Sequence, residues 1–286
     1  MRMHPDGMRL RRCVLSRGVP QKQDQKGSSR MITAAAIQFT IKPGNVDANL
    51  AHARDALGRA SDRGAQLVVL PEMWSCGFCG KSLAGLAMHT AAIAEELQDL
   101  SRRLGLVVVG SMPEPNGDRV FNTIHLIDNG RLAGIYRKVH LFSLLGEDRV
   151  FAAGDGCLLA DTSIGKIGVI ICYDLRFPEL SRRLALEGAQ ILCIPAQWPK
   201  PRNEQWRTLL QARAIENQFF VVASNTCGMV GKLDFFGMSM IIGPRGDVLA
   251  EAGDRETEIV AGLDMRDMAE WRAQIPCFKD RRPELY

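Results

Sequence analysis

Short apolar runs alternate with amphipathic stretches along most of this chain, the alternation expected of a layered α/β protein. Strand-like runs rich in β-branched residues fall at 32–39, 67–70, 106–110, 167–172, 191–194 and 219–224. Segments with helical periodicity lie between them at 46–61, 91–104 and 204–217. In the first, Val46, Leu50, Ala53, Leu57 and Ala60 recur at helical spacing and so share one face. Pro178 opens a further helical stretch, suited to the first turn because its missing N–H is not needed there. Asn129-Gly130 predicts a hairpin turn before the strand that leads to Lys138, and Pro244-Arg245-Gly246-Asp247 predicts another between 238–242 and 248–250. No linker or repeat interrupts the chain after Met31. The pattern therefore predicts one α/β domain over 31–286, without giving its strand order.

Three of these elements end on residues with chemistry. Cys172 closes the run 167–172, just ahead of the helix that Pro178 begins, and a helix N-terminus favours a thiolate and offers N–H groups to an oxyanion. Glu72 follows the strand 67–70 and Pro71, among apolar and aromatic neighbours that raise a carboxyl pKa toward working pH. Lys138 stands between apolar residues in Tyr136-Arg137-Lys138-Val139-His140-Leu141-Phe142, where a cation can meet a negative transition state. Taken singly, each also fits a plainer role: a buried apolar thiol, a solvated carboxylate, a solvated basic face. His140 reads as a structural hydrogen-bonding residue. Arg213, Glu216 and Asn217 read as local pairs that secure neighbouring segments.

In this order, Pro71-Glu72-Met73, then Arg137 to Phe142, then Cys172-Tyr173-Asp174-Leu175-Arg176-Phe177-Pro178-Glu179-Leu180 resemble the nitrilase superfamily of carbon–nitrogen hydrolases. Gln211 to Gln218 adds a fourth matching segment, and the resemblance runs from about Met31 to the C-terminus. It implies a four-layer α-β-β-α sandwich, commonly a homodimer, in which the segment after Trp271 packs over a neighbouring subunit. It also implies a catalytic triad of Glu72, Lys138 and Cys172, with Glu147 as a second glutamate orienting Lys138. In such a site Cys172 attacks an amide carbonyl, Lys138 and the backbone N–H of Tyr173 meet the oxyanion, and Glu72 protonates the leaving ammonia. The resulting thioester is then hydrolysed by water that Glu72 activates. The resemblance calls for no metal and no organic cofactor.

Tyr173-Asp174 follows the cysteine where nitrile-cleaving members usually carry Trp-Glu, so an amide substrate is expected. The segment from Ile194 to Trp206 and the region of Phe278-Lys279-Asp280 look most like omega-amidases, which act on 2-oxoglutaramate. A substrate of that kind carries a carboxylate, for which Arg176 and Arg202 are the candidate clamps, since a guanidinium matches two oxygens at once. The plainer roles are an ion pair of Arg176 with Glu179 and a solvated Arg202. Trp198, Trp74, Phe78 and Phe142 are expected to wall an apolar pocket. An amidase for deaminated glutathione is the alternative within the class. A catalytically inactive interaction protein with the same fold is the alternative outside it.

Composition changes this picture little. With 286 residues, 46% hydrophobic, the chain can bury a sizeable core. Its net charge of +4 is uneven: residues before Met31 hold eight Lys or Arg against two Asp, leaving the rest slightly acidic. The basic balance thus belongs to a tail, expected to be a disordered and dispensable extension over 1–30, and gives no argument for nucleic-acid binding. The tail lacks the apolar block of a secretory signal. Eight cysteines without the spacing of a disulfide framework, and no candidate membrane span, make a cytoplasmic location the default. The lone Cys76-Gly77-Phe78-Cys79 reads as part of the loop after Glu72 rather than as a zinc or redox motif.

Overall fold

The computed structural model describes residues 14–16, 30–117 and 119–285. Two sheets face each other, each covered on its outer side by helices. This is the expected four-layer α-β-β-α sandwich. The first sheet has six strands in the order Thr257–Asp264, Met31–Gln38, Leu67–Val69, Val107–Asn116, Arg119–Asp128 and Arg131–Arg137. The second runs Val14–Ser16, Leu158–Thr162, Gly165–Val169, Ile191–Ala196, Phe220–Asn225, Met240–Ile242 and Val248–Glu251. Of the tail expected to be disordered, only Val14–Ser16, paired parallel with Leu158–Thr162, and Arg30 are described; the rest lies outside the described residues.

Strand Met31–Gln38 shows how the sequence sets the layers. Its side chains alternate, so Ala34 and Ala36 enter the core between the sheets while Ala35 and Ile37 face the outer helices. Helix Val46–Asp62 answers with Leu50, Ala53, Leu57 and Ala60, as its periodicity predicts, and Asn45 caps it by accepting from Ala48 N–H at 3.1 Å. Helix Thr90–Leu104 lies beside it, burying Ile93, Leu97 and Leu100. Helices Pro178–Leu186 and Asn203–Asn217 cover the opposite sheet through Leu184, Trp206, Leu210 and Ala214.

Each sheet contains a parallel trio: Met31–Gln38, Leu67–Val69 and Val107–Asn116 in one, Gly165–Val169, Ile191–Ala196 and Phe220–Asn225 in the other. Ligands of parallel sheets gather at the carboxyl ends of the strands. Glu72 follows the end of Leu67–Val69, Cys172 that of Gly165–Val169, and Gln197 that of Ile191–Ala196. Lys138 arrives at the same place from an antiparallel strand. The turn before it has Asn129 at φ 48° and Gly130 at φ 84°, the left-handed pair of a two-residue hairpin loop. Among the described residues no helix is long and apolar enough to cross a membrane.

Candidate active site

Glu72, Lys138, Cys172 and Glu147 come together although they are far apart in sequence. Lys138 Nζ lies 2.8 Å from Glu72 Oε1 and 2.8 Å from Glu147 Oε2, and both Glu72 and Lys138 are fully enclosed. Glu147 opens the short helix Glu147–Val150, and its Oε2 also accepts from Phe142 N–H at 3.0 Å, which fixes it against the lysine strand. Cys172 is 7% exposed, open to the cleft on one side, and its Sγ points to the Gln197 carbonyl at 3.7 Å. Its φ of 43° places a non-glycine residue in the left-handed region, a strained conformation of the kind found where a side chain must be aimed.

The expectation that a helix N-terminus favours the thiolate is not met. Cys172 is itself the first residue of a 3₁₀ turn, Cys172–Arg176, and helix Pro178–Leu186 begins six residues after it. Burial, reinforced by the negative charge of Glu72, pushes the thiol pKa well up, and Lys138 only partly opposes this. Burial also raises the carboxyl of Glu72, although Lys138 pulls it down. For Lys138 burial alone would lower the pKa, but the two carboxylates outweigh it and hold the ammonium charged. The resting site is thus a neutral thiol beside a charged lysine that is already shared by two carboxylates. Such a thiol needs a base at the moment of attack.

Sequence reasoning missed two further residues of this cluster. Asn122, on strand Arg119–Asp128, donates through Nδ2 to Glu72 Oε1 at 2.7 Å, and its carbonyl accepts from Lys138 N–H at 2.9 Å. Gln197 gives its backbone N–H to Glu72 Oε2 at 2.9 Å and its side-chain amide to the Glu72 carbonyl at 2.9 Å. Behind the nucleophile, Asp174 accepts from Tyr136 Oη at 2.8 Å, from Ile171 N–H at 2.9 Å and from His140 N–H at 2.9 Å. The His140 ring stacks on Phe177, so His140 serves the structure. Arg213 donates twice to the Leu175 carbonyl and pairs with Glu216 at 2.9 Å, bracing the same turn.

A cleft of about 280 Å³ opens over Cys172, and Tyr173, Arg176, Phe142, Trp198, Arg202 and Phe78 line it. Tyr173 stacks on Phe142 with ring centroids 4.6 Å apart. Its N–H belongs to the first turn after the nucleophile, where helical N–H groups lack an intrahelical partner. Arg176 lies over the Trp198 ring at 4.9 Å instead of pairing with Glu179, and Arg202 lies over Phe142 at 5.7 Å. Neither guanidinium has a carboxylate partner among the described residues. Trp74 does not wall the cleft. It is turned beneath the site against Gly110, where any Cβ would come within 2.9 Å of the indole. Lys232, at the tip of the hairpin formed by Cys227–Val230 and Leu233–Phe236, completes the rim. Cys76 and Cys79 are free thiols in the loop after Glu72, and no cluster suited to a metal ion exists among the described residues.

The chain as a whole is similar to known amidases. Over 89% of this chain and 99% of the other, the 2-oxoglutaramate amidase of Bacillus subtilis (strain 168) is 39% identical. The chloroplastic omega-amidase of Arabidopsis thaliana is 33% identical over 83% of this chain and 69% of its own. Among solved structures, a variant of the amidase from Nesterenkonia sp. AN1 superposes with a TM-score of 0.79 at 30% identity, covering 89% of this chain and 95% of that one. That structure shows covalent addition of the acetamide moiety of fluoroacetamide at the active-site cysteine. The family model for carbon–nitrogen hydrolases matches residues 33–273, and the chain belongs to that family, within the nitrilase superfamily.

Proposed function

We propose that this amidase hydrolyses a small primary amide carrying a carboxylate at its far end, 2-oxoglutaramate foremost, to the acid and ammonia. One observation carries the reading: Arg176 and Arg202, both without a carboxylate partner among the described residues, face the same cleft as Cys172. A carboxylate held by either guanidinium gains the charge-assisted, two-point contact that this group forms best. A cleft of about 280 Å³ has room for a five-carbon oxo acid. The 39% identity to a 2-oxoglutaramate amidase supports the same choice.

In this reading Glu72 takes the proton of Cys172 as Sγ bonds to the amide carbon. The carbonyl oxygen becomes an oxyanion facing the Lys138 ammonium and Tyr173 N–H. Glu147, 2.8 Å from Lys138 Nζ and itself on the cleft lining, holds the ammonium in place. Protonated Glu72 then passes its proton to the departing nitrogen, and ammonia leaves a thioester. Water attacks the thioester while giving a proton to Glu72, and the thiol is restored when the acid departs. The single carboxyl group therefore works as base and acid in turn. The protein is read further as a cytoplasmic homodimer.

The test is ammonia release from 2-oxoglutaramate, deaminated glutathione, glutamine and a simple nitrile, with Cys172→Ala as the blank. Turnover selective for 2-oxoglutaramate and absent in the variant is expected. Arg202→Ala should raise KM for 2-oxoglutaramate at least about tenfold, the loss of one charge-assisted contact, and change KM for a neutral amide little. Ammonia release that survives in Cys172→Ala would refute the nucleophile, and equal changes in both KM values would refute the clamp.

A further inference from the structure

The two oxygens of Glu72 are not equivalent. Oε1 accepts from Lys138 Nζ at 2.8 Å and from Asn122 Nδ2 at 2.7 Å. Oε2 accepts from the Gln197 N–H at 2.9 Å. A carboxylate oxygen has two lone-pair directions, so both on Oε1 are engaged and one on Oε2 is free. Gln197 also marks where Oε2 faces, because the Cys172 sulfur points at its carbonyl, 3.7 Å away. Asn122 shows in turn that its position is set by this contact. Its Oδ1 is buried with no partner, while its Nδ2 reaches Glu72. Reversing the amide would set its oxygen against the carboxylate, so the orphaned acceptor accompanies the one orientation in which Asn122 can donate.

We propose that Asn122 is a positioning residue that, with Lys138, occupies Oε1 of Glu72 and so directs the thiol proton of Cys172 to Oε2. In the attack the Cys172 S–H bond breaks as the S–C bond forms, its proton goes to Oε2, and the carbonyl electron pair becomes the oxyanion. Returning from Oε2, the proton meets the leaving nitrogen on the side where the sulfur is bonded. Asn122 suits the task because it donates without bringing charge. Lys138, Glu147 and Cys172 are the titratable groups around Glu72, and a fourth would alter the balance among them.

This inference rests on Glu72 being the proton carrier, and the experiment separates the two. Initial rates across pH are measured for Asn122→Ala, Asn122→Asp and Glu72→Gln on the amide that the unaltered enzyme turns over fastest. Donors to a carboxylate favour its charged form, so losing one moves the acid limb of the rate profile upward. Asn122→Ala should shift that limb up by about one pH unit, and lower kcat at neutral pH about tenfold, with KM within about twofold. Asn122→Asp, nearly isosteric, should shift it further, because a like charge then faces Glu72. It also supplies the answer if the alanine variant does not fold. An acid limb left in place in the aspartate variant, or a loss spread evenly over pH with KM raised in proportion, overturns the role of Asn122. Hydrolysis that persists in Glu72→Gln overturns the reading of Glu72 itself.

Discussion

Lys138 is the residue on which the charge balance of the site turns. Its ammonium is shut away from water with two carboxylates within 3.0 Å. Removing one member of a buried ion cluster costs about 3 to 5 kcal/mol, because the partners left behind are charged and desolvated. Lys138→Ala is therefore expected to destabilise the fold by about 3 kcal/mol at neutral pH as well as abolish turnover. The pH dependence identifies the cause. Without the ammonium, Glu72, already pushed up by burial, loses the charge that pulls it down and would hold its proton more tightly than in the unfolded chain, where a glutamate titrates near about 4.3. A carboxyl whose folded pKa is raised lends stability below its unfolded pKa, and that stability is lost as pH rises through the folded value. The deficit of Lys138→Ala should accordingly shrink between about pH 8 and about pH 5, measured by urea unfolding of both proteins. A deficit equal at both pH values would mean that lost packing, not stranded charge, is responsible.

At the scale of elements, the hairpin of Cys227–Val230 and Leu233–Phe236 stands apart from both large sheets and carries Lys232 to the mouth of the cleft. Its exposed charge adds to those of Arg176 and Arg202, and a rim of one sign draws in an anionic substrate. Lys232→Ala should raise KM for a carboxylated amide about threefold, with kcat unchanged and the effect fading in high salt. A loss of kcat at unchanged KM would instead give the hairpin a part in the chemistry. This hairpin was not legible in the sequence, and neither was the long pairing of Val107–Asn116 with Arg119–Asp128. Pro113 and Pro115 argue against a strand, yet they lie beyond Val109, where pairing with Leu67–Val69 has ended and that edge needs no N–H donor. Strand Thr257–Asp264, paired with Met31–Gln38 along eight residues, was likewise unforeseen, since its apolar alternation is weak and its partner is far away in the chain. Glu72, Lys138 and Cys172 could be read because each follows an apolar run with a local signal: a proline, an Asn-Gly turn or a Pro-started helix. Asn122 and Gln197 have no such signal. Their importance arises only when strand Arg119–Asp128 and the end of strand Ile191–Ala196 are brought against Glu72.

The whole molecule places its chemistry on the seam between two sheets. Asn122 lies in the six-stranded sheet and Glu72 and Lys138 follow strands of it, while Cys172 and Gln197 follow strands of the seven-stranded one, so only the closed sandwich brings base and nucleophile together. Its two outer faces differ. Helices Val46–Asp62 and Thr90–Leu104 expose no large apolar side chain, whereas the opposite side shows Leu186 44% exposed, Ile215 51% and, after the last helix Met265–Gln274, Ile275 43%. Leu186, Ile215 and Ile275 make this layer the candidate face for the proposed homodimer, although other exposed apolar side chains lie elsewhere, among them Met88 at 72% and Leu132 at 43%. The same layer braces the nucleophile, because Arg213 on helix Asn203–Asn217 holds the Leu175 carbonyl in the turn that follows Cys172. Association on this face should therefore steady the site as well as bury the patch. Light scattering coupled to gel filtration is expected to give near twice the mass of one chain. Replacing Leu186 and Ile215 together with Asp should reduce it to a single chain and lower kcat several-fold, with the helical circular dichroism retained. A dimer that survives both charges would move the interface elsewhere, and a monomer with full activity would show that the turn after Cys172 is held by Arg213 alone.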